Sequence, residues 1–396
     1  MKDKKPPKKR FFKLTKTKQK GIIIEIVYMK TQKNIKTPEL KAPAGNLEMV
    51  KKVIEAGADS IFIGLEDCSR RRYDELTLLE TIYAIKWVKQ KNKKIYIALN
   101  ADIPDDEIQG VLDLRVKELV NKGVDGFILR TPKLMERISS EYRRKGYPDL
   151  EIIASVGCNI QTPEQIKKYI DYGISTLVLS TELSKRPYDD KRKNQLIELR
   201  KTADKYNLKL EILSALTACI KGVGGGDAKG CDLYKYAENL TCKITHEYPD
   251  GFKRSYFDFF PHKGGGCLRW CNIIFDPEVQ QYILNNGGTQ DDIDALVKHR
   301  ENKTGNISII HDYEILDLIK IGMDVIKIQG RENTPQWAGE ITKIIRNIID
   351  NPSESEVDKH KKSFKTLKND WDKRRFQGDT KLLSEFYKRT GKPFKI

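Results

Sequence analysis

Cysteine is the residue whose placement first suggests chemistry in this 396-residue chain. Cys267 and Cys271 are separated by three residues, Cys219 and Cys231 lie upstream, and Cys242 sits in the long spacer between. Only Cys68 and Cys158 fall elsewhere. The spacers from Cys219 through Cys231 and Cys267 to Cys271 are 11, 35 and 3 residues. A structural zinc site favours two close pairs. An iron–sulfur cubane needs only four thiolates at its corners, which loops of unequal length can bring together. The irregular set therefore points to a [4Fe–4S] cluster, with zinc or scattered buried thiols as alternatives. The glycine runs Gly224–Gly226 and Gly264–Gly266 would let backbone N–H groups approach cluster sulfides.

A second group of polar residues falls where apolar runs end: Arg70, Arg130, Glu182 and Arg331. The three guanidiniums suit an anion site for a carboxylate- or phosphate-bearing ligand, and the alternative for each is a salt bridge. The chain has no P-loop, no H-E-x-x-H and no G-x-G-x-x-G, and its five histidines suggest no hydrolytic triad.

The elements that must position these residues follow a repeat. Four helical patterns end in a glycine followed directly by an apolar run: EAGADSIFIG at Gly57, NKGVDGFILR at Gly123, DYGISTLVLS at Gly173 and KIGMDVIKIQG at Gly322. Glycine takes the left-handed position that ends a helix, and the chain drops into a buried strand. With the strands that lack this glycine there are eight, at 39–42, 60–64, 94–99, 126–130, 151–155, 176–180, 208–213 and 324–328. Helix-length segments separate the first seven. The pattern predicts an α/β fold, a (β/α)8 TIM-type barrel, over 38–350, with an open doubly wound sheet as the alternative. A Cys/Gly-rich insertion, 214–306, separates strands seven and eight. It leaves the C-terminal end of strand seven, the face on which barrels build active sites.

Charge is concentrated at the ends. Formal net charge is +17; residues 1–20 hold ten Lys/Arg against one Asp, and residues 351–396 thirteen against seven acids. The reading is a basic, disordered N-terminal extension over 1–37, with Met29 as an alternative start. A charged, helical C-terminal extension covers 351–396. Basic ends suit RNA or ribosome association. No stretch approaches a membrane span and no apolar leader follows the basic start, so a soluble cytoplasmic protein without disulfides is expected.

Three segments resemble the collagenase-like peptidase family U32. They are ELKAPAGNLEMVKKVIEAGADSIFIG, the STELS stretch around Glu182, and HDYEILDLIKIGMDVIKIQGRENTPQW. The family is named for protease activity. Better understood relatives resemble iron–sulfur proteins of oxygen-independent hydroxylation, acting on tRNA, ribosomal RNA or a ubiquinone precursor, with prephenate as oxygen donor where one is assigned. The resemblance implies a hydroxylating enzyme that needs a prephenate-like carboxylate donor and an electron donor. Cys267 and Cys271 match the family's C-x3-C, and Cys219 the first cysteine after strand seven. The fourth ligand is Cys231 in one branch, or Cys68 in the branch whose motif corresponds here to Gly64-Leu65-Glu66-Asp67-Cys68-Ser69-Arg70-Arg71, with Cys242 as a third choice. The histidine of the family's H-G-A-x-C pattern is absent from Ala215–Cys219, and the Cys231–Cys267 spacer is longer than usual. Protease action and non-catalytic RNA binding are the competing functions.

Overall fold

The computed structural model describes residues 36–70, 75–186, 188–217, 236, 240, 242–259, 262–263, 270–301 and 308–394, and all but Lys36 belong to the compact unit that begins at Thr37. The expectations for residues 1–35, for Cys219, Cys231 and Cys267, and for both glycine runs lie outside the described residues.

Eight parallel strands close on themselves. They are Glu39–Pro43, Ser60–Leu65, Lys94–Leu99, Gly126–Leu129, Glu151–Ala154, Thr176–Val178, Lys209–Thr217 and Val325–Ile328. Each pairs with the next, and the first closes the barrel against the eighth with Lys41 opposite Lys327. The closed (β/α)8 barrel is thus the observed architecture, and the open sheet is not. The four glycines expected to end helices, Gly57, Gly123, Gly173 and Gly322, all have positive φ, between 71° and 98°. At the helix starts, side chains cap the backbone. Thr77 with Glu80 and Thr162 with Gln165 form capping boxes, and Asn46 accepts from the Met49 amide; each satisfies amides that the first helical turn leaves orphaned.

The seventh strand runs four residues past its expected end, to Thr217, because Ser308–Ile310 pairs antiparallel with its last turns after the insertion. Within the insertion, Cys242–Glu247 and Lys253–Phe259 form an antiparallel hairpin, followed by helices Trp270–Ile273, Pro277–Asn285 and Gln290–Glu301. The C-terminal extension is one helix of 37 residues, Glu354–Thr390. Near its middle, Trp371 packs on Trp337 of the barrel's closing helix, ring centroids 4.9 Å apart, and Trp337 Nε1 donates to the Leu367 carbonyl. Further along, Leu382, Phe386 and Tyr387 bury themselves among Trp270, Ile273, Ile283 and Leu296 of the insertion. One helix therefore ties the insertion to the barrel. Among the described residues, no helix is long and apolar enough to cross a membrane.

Candidate active site

The barrel interior is polar at its N-terminal end. Glu39 accepts from Ser60 and Lys94, and Glu151 accepts from Lys94, Lys209, Tyr96 and Thr176. This ion-pair plug closes one end. Above it lies a layer of Phe62, Tyr96, Ile128, Ile153 and Val178, and among these apolar side chains stand three buried charges. Lys41 from the first strand and Lys327 from the eighth each donate to Glu211 on the seventh, at 2.6 Å. Lys41 also lies 3.9 Å from the Tyr96 ring centroid, and Lys327 4.1 Å from that of Phe62. Burial alone would raise the Glu211 carboxyl, but Lys327 and Lys41 outweigh it and hold it at about 2. Burial pulls the Lys327 ammonium down to about 8 against the attraction of Glu211, with Lys41 and Arg331 adding to the downward pull.

At the C-terminal mouth the expected residues hold different places. Arg331, 8% exposed, reaches into the barrel so closely over Gly64 that a β-carbon there would have to displace its guanidinium. Its guanidinium carbon lies 5.8 Å from the Phe62 ring centroid that Lys327 also faces. Arg130 is ion-paired with Asp102 at 2.8 Å, the barrel-mouth salt bridge that was its alternative reading. The Arg70 amide donates to Asn100, whose side-chain amide donates to Ser155. Glu182 pairs with Lys185 at 2.7 Å on the turn after strand six. Asn159, at φ 53°, accepts from Ser180 and Gln161 and so fixes the turn after strand five.

The insertion hairpin docks on the loop after the second strand. Asp67, at φ 56° and 3% exposed, accepts from His246 Nδ1 at 2.7 Å and from the Tyr248 hydroxyl. Arg254, wholly buried, donates to the Asp67 carbonyl and pairs with Glu107. A π-helical turn, Leu112–Val116, carries Arg115, which pairs with Asp250 at 2.6 Å and stacks 3.8 Å from the Phe252 ring centroid. Such turns are often found at functional sites; here it carries a cation to the hairpin.

Cys68 lies in this docking region. It is wholly buried, and burial pushes its thiol up to about 12 despite Arg254 and Arg115. Cys271 is 8% exposed on the short helix after the hairpin, packed among Trp270 and the insertion's apolar residues. Cys68 and Cys271 each have their own surroundings, and Cys242, the third choice for the fourth ligand, is exposed at the start of the hairpin. No group of three or more His, Cys, Asp or Glu among the described residues is arranged to hold a metal ion.

Sequence reasoning missed the Lys41–Glu211–Lys327 group and the Asp67 clamp. The first carried a signal, opposite charges in the middle of short apolar strands. The second needed the fold to bring positions 67 and 246 together.

The sequence profile described as Peptidase family U32 matches residues 45–204. A tRNA hydroxylation protein of Bacillus subtilis is 23% identical over 320 residues, covering 80% of this chain and 64% of its own. An uncharacterized protease of Methanocaldococcus jannaschii is 29% identical, covering 79% and 65%. A 23S rRNA 5-hydroxycytidine synthase of Escherichia coli is 28% identical over 146 residues, covering 37% and 21%. The chain thus spans less than two thirds of the length of each of these relatives.

Proposed function

We propose, from the match of residues 45–204 to the profile of peptidase family U32, that the chain is an RNA-hydroxylating enzyme acting on tRNA or rRNA, with a [4Fe–4S] cluster as cofactor. The observation that carries this reading is the alignment over four fifths of the chain with a relative named for tRNA hydroxylation. A second relative, named as an rRNA hydroxycytidine synthase, supports the same substrate class over a quinone precursor.

The cluster would be held by Cys219, Cys267 and Cys271, with Cys231 or Cys68 as fourth ligand. Soft sulfur donors suit iron, and the apolar surroundings of Cys271 suit a cofactor kept from water. When bound, the cluster would supply one-electron chemistry to a hydroxylation that uses a carboxylate oxygen donor and an external electron donor.

Contacts to RNA phosphates would come from the basic ends. On the C-terminal helix several lysines already pair with neighbouring acids, as Lys359 does with Glu356, Lys361 with Asp358 and Lys368 with Asp372. Lys362, Lys365, Lys373, Lys381 and Lys388 stand exposed as the phosphate contacts.

The second reading is a protease, favoured by the Methanocaldococcus relative's name. Its chemistry is harder to build. His246 is bonded to Asp67, His311 to the Ser184 carbonyl and His360 to Glu356, and none of these bonds is to a serine hydroxyl or a cysteine thiol. The test is nucleoside mass spectrometry of tRNA and rRNA from a strain lacking the gene. One hydroxylated nucleoside should vanish and return with the intact gene. Unchanged RNA, together with gelatin cleavage by the purified chain, would move the assignment to protease. Protein purified without oxygen should contain about four iron atoms per chain, lost on Cys267→Ala; whichever of Cys231→Ser and Cys68→Ser also loses them marks the fourth ligand.

A further inference from the structure

Two ammonium groups share one carboxylate inside the barrel: Lys41 and Lys327 are both 2.6 Å from Glu211. Such a group, fully protonated, carries one net positive charge into a low-dielectric interior, a state that desolvation disfavours. It can shed that charge by releasing one proton from one lysine. Lys327 is the one placed to do so. Both ammoniums lie over an aromatic ring, Lys41 over Tyr96 and Lys327 over Phe62, but Lys327 shares its ring with the guanidinium of Arg331, a further cationic neighbour. The fall of its ammonium toward neutral pH agrees with this arrangement.

A desolvated lysine beside other cations is an activated nitrogen nucleophile, and Glu211 accepts from its nitrogen at 2.6 Å and so fixes its position. Arg331 lies against the same Phe62 ring, and a guanidinium matches a carboxylate in shape and charge. We infer that Lys327 is the nucleophile of an imine-forming site on the barrel floor that takes small 2-oxo acids, their carbonyl carbon at Lys327 and their carboxylate at Arg331. The Lys327 nitrogen adds to the carbonyl carbon. The carbonyl oxygen then leaves as water, carrying both hydrogens of the neutral amine, and a C=N bond replaces C=O. No oxidant or reductant is consumed. The site needs neither RNA nor a cluster, so it stands or falls apart from the function proposed above.

The experiment treats the full chain with glyoxylate and sodium borohydride, which reduces an imine to a stable secondary amine, and maps the adducts by peptide mass spectrometry. Lys327 should carry more adduct than exposed lysines such as Lys51 and Lys86. Acetaldehyde, which lacks the carboxylate, should label Lys327 less than glyoxylate does, and Arg331→Gln should erase that difference. Lys327→Arg should abolish the adduct at this position while keeping the charge. A map in which Lys327 carries no more adduct than the exposed lysines overturns the inference. That map is made on the unmutated chain, so a variant that folds poorly does not blunt it.

Discussion

Arg331 occupies the space that a side chain at Gly64 would fill: a β-carbon there would overlap the Arg331 guanidinium and crowd the Ser69 hydroxyl. Gly64 lies on a regular strand, so its value is room rather than backbone freedom. Gly64→Ala is expected to keep the barrel, move Arg331 off the Phe62 ring, and cost about 1–3 kcal/mol of stability as an overpacked interior does. Urea denaturation measures the cost. Glyoxylate labelling of Lys327 should fall toward the acetaldehyde level in the same variant.

The Lys41–Glu211–Lys327 group makes its members unequal. Glu211→Gln leaves two buried ammoniums facing each other and is expected to cost about 3–5 kcal/mol, as breaking a buried pair does. Lys327→Met removes the surplus charge, leaves the Lys41–Glu211 pair intact, and is expected to cost less than half as much. Equal losses in urea denaturation would show that the surplus charge is balanced elsewhere.

The same group sets a pH dependence with two limbs. The Glu211 carboxyl sits at about 2 in the fold against the usual 4.5. Its stabilising contribution is therefore complete above about 4.5 and lost as pH falls toward 2. The Lys327 ammonium sits at about 8 against the usual 10.5. Between these values the unfolded chain holds a proton that the folded chain has released, so stability rises with pH across that window. The stability advantage of the wild type over Glu211→Gln should shrink on acidification. Relative to Lys327→Met, the wild type should gain between pH 8 and 10.5.

Asp67 holds the insertion hairpin through His246 and Tyr248 from a left-handed backbone position. Asn tolerates that conformation but lacks the charge. Asp67→Asn is expected to destabilise by about 1–3 kcal/mol, with hydrogen exchange rising across 242–259 and unchanged in the barrel strands.

The barrel was legible because its signals are local. A glycine that ends a helix and an apolar run that follows are read without knowing any distant contact, and all four such glycines have the required φ. Arg331 at a strand end was legible for the same reason. The Lys41–Glu211–Lys327 group was not, since Lys41 and Glu211 are 170 residues apart and only closure of the barrel puts them on one layer. The docking of His246 on Asp67 likewise spans 179 residues. The C-terminal extension was read as helical from its apolar spacing, but its continuity through Gly378 comes from packing at both ends. A β-carbon at Gly378 would meet nothing within 4 Å, so Gly378→Ala is expected to raise stability by about 0.5–1 kcal/mol, measured by thermal unfolding.

That long helix also works as a gauge of rotation. Trp371 and Leu382 are eleven residues apart, close to three whole turns, so the side chain that seats on the barrel and the one that seats under the Cys271 segment project from the same side of the rod. Adding or removing a single residue between them would swing one dock by roughly 100° relative to the other. The orientation of Cys271 is thus written partly in the phase of a segment that carries none of the chemistry.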